Sequence, residues 1–229
     1  MKKTDFDEYA ENYHAVSVTS NRLKRFFSWD SNYFAECRLR LIKKHTGIHP
    51  RRVLEYGCGT GDNLGPLTAG FPDAEVSGCD ISEKSLEQAA KANPSVALSS
   101  LNTGDPYAPG HFDLVLLSNV LHHLDAPSQR ECLSNINRRL KQGGELFIFE
   151  HNPYNPITRR LVRVCPFDRD AVLLRPSELA GLLRETGLEP LDIRYFLLFP
   201  ALLKRLRPLE GLFSGLPLGG QYYIRAVKP

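Results

Sequence analysis

The chain has 229 residues, 42% of them hydrophobic, and a formal charge of +3. That length buries a sizeable core in one elaborated domain, and so small a charge, with Lys and Arg spread among Asp and Glu, excludes a long basic field for a nucleic-acid backbone. Cys37, Cys58, Cys79, Cys132 and Cys165 form no CxxC pair and leave one unmatched in any disulfide scheme, so they read as the reduced thiols of a cytoplasmic protein.

In chain order, residues 1–30 are aromatic-rich but irregular. They are polar where a secretory leader needs an apolar run, and no stretch of the chain suits a bilayer span. A helix is expected over 31–47, then a strand over 52–57 (RVLEYG) that runs into closely spaced glycines. Further strands are expected over 74–80, 96–101, 112–119, 145–152, 191–199 and 221–228, several apolar on successive residues, as burial on both faces requires. Between them, residues 82–93 read as a helix capped by Ser82. A second helix over 128–144 spaces Cys132, Ile136 and Leu140 before a glycine stop, and a third over 177–187 has Ser177 as cap and Gly187 past its end. Residues 151–175, dense in Pro and Arg, fit no alternation and read as a substrate cover. The alternation predicts an α/β fold, doubly wound around a mostly parallel sheet.

Gly57, Cys58, Gly59, Thr60 and Gly61 end a buried strand, where glycine lets the backbone turn sharply and approach a ligand. No Gly-Lys-Ser/Thr follows, and Asp62 stands where the third glycine of a dinucleotide fingerprint belongs, so a pyrophosphate ligand loses its best signature. Glu55 adds a negative charge beside the loop, which repels phosphate and attracts a cation. S-adenosylmethionine, with a sulfonium, an ammonium and no phosphate, meets that demand. Asp80, ending the next strand, is an acceptor-only carboxylate suited to ribose hydroxyls.

With VLEYGCGTG at 53–61, VSGCDIS at 76–82, FDLVLLSNVLHHL at 112–124 and LKQGGELFIFEHN at 140–152, the sequence resembles the class I S-adenosylmethionine-dependent methyltransferases over residues 50–229. The resemblance implies a Rossmann-like, seven-stranded sheet with an antiparallel last strand, and S-adenosylhomocysteine as product. It places the methionine end of the cofactor on Glu55, the ribose on Asp80 and adenine against Ile81. Leu101 and Asn102 stand where the family often has an Asp for the adenine amino group, and the Asn102 amide oxygen can accept in its place. Ser118 and Asn119 would line the methionine pocket. Tyr9 and Tyr13 resemble the aromatic cover of small-molecule members, with Tyr13 the residue assigned to the cofactor; ordinary packing of both is the competing account.

His122, His123 and His151 sit at the site's mouth as candidate general bases, the alternative for each being a loop or lid residue that only makes hydrogen bonds. Adjacent residues point apart and no nearby carboxylate has ligand spacing, so no metal is expected. Transfer from an activated sulfonium can proceed by positioning alone, which leaves a base optional. The arginines of 159–175 are expected to pair mostly with Asp168 and Asp170, any left over suiting an anionic substrate. Residues 196–220, apolar but carrying Lys204, Arg205 and Arg207, are read as a core strand and partly buried helix, with an anionic membrane surface as the minority reading.

The whole predicts one methyltransferase domain over 1–229, with an N-terminal cover and helix over 1–49, a cofactor-binding core over 50–150 and a substrate cover with the rest of the sheet over 151–229. It would methylate a small molecule, oxygen favoured over carbon or nitrogen, with a lipid-linked or quinone-like acceptor, or a non-catalytic cofactor-binding module, as alternatives. The sequence leaves the acceptor and the oligomeric state open.

Overall fold

The computed structural model describes residues 32–103, 107–165, 168 and 170–229. Tyr9 and Tyr13 lie outside them, as does Arg169. The elements run α1 (Tyr33–His45), β1 (Arg52–Tyr56), α2 (Leu64–Gly70), β2 (Glu75–Asp80), α3 (Glu83–Ala92), β3 (Ala97–Ser100), β4 (Phe112–Ser118), a 3-10 turn (Leu121–His123), α4 (Ala126–Arg139) and β5 (Leu140–His151). They continue as α5 (Pro156–Val164), α6 (Pro176–Glu185), β6 (Glu189–Phe196), an irregular 3-10 segment (Ala201–Phe213) and β7 (Gln221–Val227).

The strands form one sheet in the order β3-β2-β1-β4-β5-β7-β6. β1 to β5 run parallel, and β7 inserts antiparallel between β5 and β6. Successive residues of the central strands enter opposite layers of core. Leu54, Val115, Leu117, Ile148 and Ile224 pack on one face, and Val53, Leu114, Leu116, Phe147, Phe149 and Tyr223 on the other. Burial on both faces is why these strands read as continuous apolar runs. The chain order reverses between β1 and β4, and ligands of such sheets collect at the carboxyl ends there.

Several elements depart from the sequence reading. α4 stops at Arg139, not at the glycines, because Lys228 Nζ donates to the carbonyls of Asn137 (2.8 Å) and Leu140 (2.9 Å) and Leu140 pairs with Phe112. α6 starts one residue before Ser177, at Pro176, whose fixed φ and missing N–H suit a first turn. The supposed irregular cover contains α5, capped by Asn155, whose Oδ1 accepts from the N–H groups of Ile157 and Thr158. The partly buried helix expected after β6 is instead the 3-10 segment, in which Ala201 is the buried residue. Among the described residues no helix is long and apolar enough to cross a membrane.

Candidate functional site

The loop after β1 is folded against β2 by its backbone. The N–H groups of Gly57 and Cys58 both donate to the Cys79 carbonyl, at 2.7 and 3.0 Å, and Gly59 N–H donates to Asp80 Oδ2 at 2.8 Å. Asp80 Oδ1 accepts from Ser82 N–H at 2.9 Å, so this carboxylate ties the glycine loop to the start of α3. Cys58 sends its side chain into the core, close against Gly78, and burial pushes its thiol far up; what it offers a ligand is backbone. A Cβ at Gly57 would meet Val120 Cγ2 at 2.6 Å, whereas one at Gly59 would meet nothing within 4 Å. Gly59 thus borders open space that a ligand can occupy.

Glu55 is 1% exposed, two residues before Gly57, the loop's first glycine. Its Oε1 accepts from Asn63 Nδ2 at 2.5 Å, and Asn63 Oδ1 accepts from Arg38 Nη1 at 3.1 Å. Its Oε2 is buried with no partner. Burial, relieved only partly by Asn63 and Arg38, pushes its pKa up to about 8. Ser118 Oγ, at the end of β4, is also buried without a partner. Two orphaned acceptors at neighbouring strand ends, beside a glycine that leaves space, fit a ligand with cationic and hydroxyl groups. On this observation the residues fit S-adenosylmethionine.

On the adenine side, Ile81 is 42% exposed although apolar. Asn102 donates Nδ2–H to the Ile81 carbonyl at 2.7 Å, which leaves its amide oxygen to accept. Leu101 packs partly buried against the core, and its N–H donates to the Asp80 carbonyl at 2.9 Å.

Asn119 has a φ of 56°, a conformation that non-glycine residues adopt at a cost and that collects at functional sites. Its Oδ1 accepts from Gln221 Nε2 at 3.2 Å, and the same amide lies 3.5 Å from His151 Nδ1. Gln221, on β7, has no counterpart in the sequence reading.

The three histidines form one group. The rings of His122 and His123 are 4.1 Å apart and those of His122 and His151 are 5.1 Å apart. His122 Nδ1 meets Glu150 Oε2 at 2.6 Å, and Glu150 Oε1 accepts from Leu121 N–H at 2.9 Å. The Nε2 atoms of His122 and His123 lie 3.5 and 3.6 Å from the same oxygen, Asp168 Oδ1. For His122 this is an ion-pair distance without a formed hydrogen bond. The expectation that the adjacent histidines point apart, with no nearby carboxylate at ligand spacing, is not met: both reach Asp168, which the chain brings back after α4, β5 and α5. Among the described residues no arginine pairs with Asp168, and Arg159, Arg160 and Arg163 are exposed.

Burial works against charge on His122, but Glu150 and Asp168 together outweigh it and push its pKa up to about 10. Burial and then the His122 charge hold His123 down at about 3 and His151 at about 4. Asp168 and Glu150 resist burial through these imidazoles and stay below the usual carboxylate range. With two carboxylates holding its proton, His122 is the least suited of the three to act as a base, while His123 and His151 are neutral.

Comparison with known proteins gives a consistent picture. A family model described as a methyltransferase domain matches residues 54–146. The chain is 30% identical over 167 residues to a ubiquinone biosynthesis O-methyltransferase of Thiobacillus denitrificans, covering 66% of this chain and 70% of that protein. It is 33% identical over 122 residues to a malonyl-[acyl-carrier protein] O-methyltransferase of Legionella pneumophila, covering 51% of this chain and 38% of that protein. Among solved structures, an S-adenosylmethionine-dependent methyltransferase of Thermotoga maritima superposes with a TM-score of 0.69 at 21% identity, covering 98% of both chains.

Proposed function

The chain belongs to the class I S-adenosylmethionine-dependent methyltransferases, and on that premise we propose that it transfers the cofactor's methyl group to an oxygen of a small-molecule acceptor. The observation that carries this reading is the arrangement around β4. The unpartnered Glu55 Oε2 lies on β1 at one side, and the imidazoles at the ends of β4 and β5 lie on the other. A cation held at the first brings a methyl donor close to groups that can receive a hydroxyl.

In this reading Glu55 receives the ammonium end of the methionine moiety, with Ser118 and Asn119 lining the same pocket. Gly57 and Gly61, close against Val120 and Asn93, fold the loop, and the open side of Gly59 lets the cofactor lie against it. Asp80, already oriented by Gly59 and Ser82, accepts from the ribose hydroxyls. Ile81 and Leu101 flank the adenine and Asn102 accepts from its amino group. The cofactor supplies an activated methyl for in-line displacement, so the protein's main task is alignment and exclusion of water. His123 and His151, both neutral, are the candidates to take the acceptor's proton, and His151, whose Nδ1 lies beside the Gln221 amide that holds Asn119, is the one we favour.

Oxygen as acceptor is supported by the Thiobacillus and Legionella relatives, both named O-methyltransferases. A second reading, a lipid-linked or quinone-like acceptor, draws on the exposed apolar residues after β6. Leu202 is 86% and Leu212 80% exposed, in a segment that also exposes Lys204 and Arg205. Arg207 is placed differently, over the Tyr33 ring at 4.2 Å.

Calorimetric titration with S-adenosylmethionine, S-adenosylhomocysteine and NADH tests the first step, and a labelled-methyl screen of hydroxylated small molecules and then of lipids tests the second. Binding of the first two ligands alone, followed by an acid-stable methyl ether product, supports the reading. NADH binding in their place, or label on carbon or nitrogen, overturns it.

A further inference from the structure

We propose that His122, His123 and Asp168 form a binding site for a divalent transition-metal ion. One ligand atom from each of the three lies within 4.8 Å of the others. The two Nε2 atoms stand 3.5 and 3.6 Å from Asp168 Oδ1. Ligands bound at 2.0–2.1 Å around a tetrahedral zinc are spaced about 3.4 Å apart, close to the two nitrogen–oxygen separations, and the group as a whole lies within the 4.8 Å that small side-chain shifts can close around an ion.

The surroundings of His122 point the same way. Its Nδ1 is engaged by Glu150 at 2.6 Å, and that carboxylate is itself fixed by the Leu121 N–H. A carboxylate on one imidazole nitrogen is the usual support for a metal on the other, because it sets the tautomer and the ring's direction. The other nitrogen, Nε2, is buried in a residue 1% exposed and makes no formed hydrogen bond, its approach to Asp168 Oδ1 being a long 3.5 Å. A metal ion between them would displace the Nε2 proton and give that nitrogen a short, directed partner.

Two imidazoles and one carboxylate suit zinc, iron(II), cobalt or nickel rather than magnesium or calcium, which prefer oxygen ligands throughout. Three protein ligands also leave a coordination position for water or an acceptor oxygen. The side chains of His123 and Asp168 are 13% and 14% exposed, so the site has access from their side. His151 stays outside it, since its Nδ1 lies beside the Gln221 amide.

This inference goes beyond the methyl-transfer reading and depends on no acceptor, so cation and cofactor binding are measured separately. The full chain, stripped with a chelator, is titrated by calorimetry with Zn²⁺ and, in parallel, with Mg²⁺. Stoichiometric Zn²⁺ binding without Mg²⁺ binding is expected. Asp168→Asn and His123→Ala should each weaken it at least tenfold, and Glu150→Gln, a change behind the ligands, by about 10- to 100-fold. Retained S-adenosylhomocysteine affinity shows that the variants are folded. Where a variant fails to fold, the Co²⁺ spectrum of the unaltered chain decides, with visible bands and no thiolate charge-transfer band expected. Absence of Zn²⁺ binding, binding undiminished in folded Asp168→Asn and His123→Ala, or a thiolate band from the chain's cysteines would overturn the proposal.

Discussion

Asp80 Oδ2 accepts the N–H of Gly59 at 2.8 Å, so one carboxylate joins the end of β2 to the turn after β1. Since its other oxygen holds Ser82 N–H, Asp80 shapes the site even before a ligand arrives.

Replacing it should therefore cost binding in two ways, through the proposed ribose contact and through the looser loop. Hydrogen bonds to a charged group contribute about 1.5–3 kcal/mol each, so Asp80→Ala should weaken S-adenosylhomocysteine binding by roughly ten- to a hundredfold. Calorimetry measures this, and unchanged affinity in a folded variant would remove Asp80 from the site.

The glycines separate packing from binding. Gly57→Ala places a Cβ 2.6 Å from Val120 at a φ of +73° and should lower the melting temperature. Gly59→Ala faces only the strain of a φ of +52°, on the order of 1–2 kcal/mol, but intrudes on the proposed cofactor space. It should lose most cofactor affinity while unfolding near the parent temperature. Equal cofactor affinity in Gly59→Ala and the parent would contradict the placement.

Much of this was legible in the sequence because its causes are local. The strands announce themselves through apolar runs, and Glu55 and Asp80 through their distance from the glycines. Asn63 was not, since its link to Glu55 and Arg38 exists only once α1 packs beside the loop. Asp168 lies 45 residues beyond His123 in an irregular stretch, and no periodicity connects them. The end of α4 depends on Lys228, from the far end of the chain. The 3-10 segment misled for another reason: Leu alternating with Lys and Arg has the composition of an amphipathic helix, but its leucines find no core to cover.

Glu145 offers a stability test away from the cofactor. It is 2% exposed, accepts from Arg225 Nη2 at 2.6 Å, Thr46 Oγ1 at 2.8 Å and Gly47 N–H at 3.0 Å, and so binds the end of α1 to the sheet. Glu145→Ala leaves Arg225 with Asp192 at 3.7 Å as its other ion-pair partner and removes the acceptor of Thr46 and Gly47, so it should destabilise the fold by about 1–3 kcal/mol. Denaturant unfolding gives the value. A loss well under 1 kcal/mol would mean that this buried ion pair does not hold α1.

His151 should affect turnover and not cofactor binding. General-base assistance contributes about 10²- to 10⁴-fold where it operates, and a base with a pKa near 4 operates weakly, so the lower end is expected for His151→Gln. The amide can still meet Gln221. A fall in kcat with unchanged S-adenosylhomocysteine affinity supports the role, whereas an unchanged kcat assigns the reaction to positioning alone.

The raised pKa of Glu55, about 8 against an ordinary 4.5, makes cofactor affinity depend on pH. A carboxyl whose folded pKa exceeds its unfolded value keeps a proton that the unfolded chain releases. Its contribution therefore lowers stability as pH rises from the unfolded pKa to the folded one, and the loss levels off above about 8. Cation binding has the opposite slope: the ionised form attracts the sulfonium cofactor, so below the folded pKa binding must first expel a proton. Affinity for S-adenosylmethionine should rise by up to tenfold per pH unit between about pH 6 and 8. S-adenosylhomocysteine carries the same ammonium, so its affinity should rise over the same range. Glu55→Gln keeps an oxygen for Asn63 and cannot ionise, so it should flatten both curves, weaken binding of both ligands and stabilise the empty protein near pH 8. Affinities that do not change with pH in the parent chain would show that Glu55 does not meet the cofactor's ammonium.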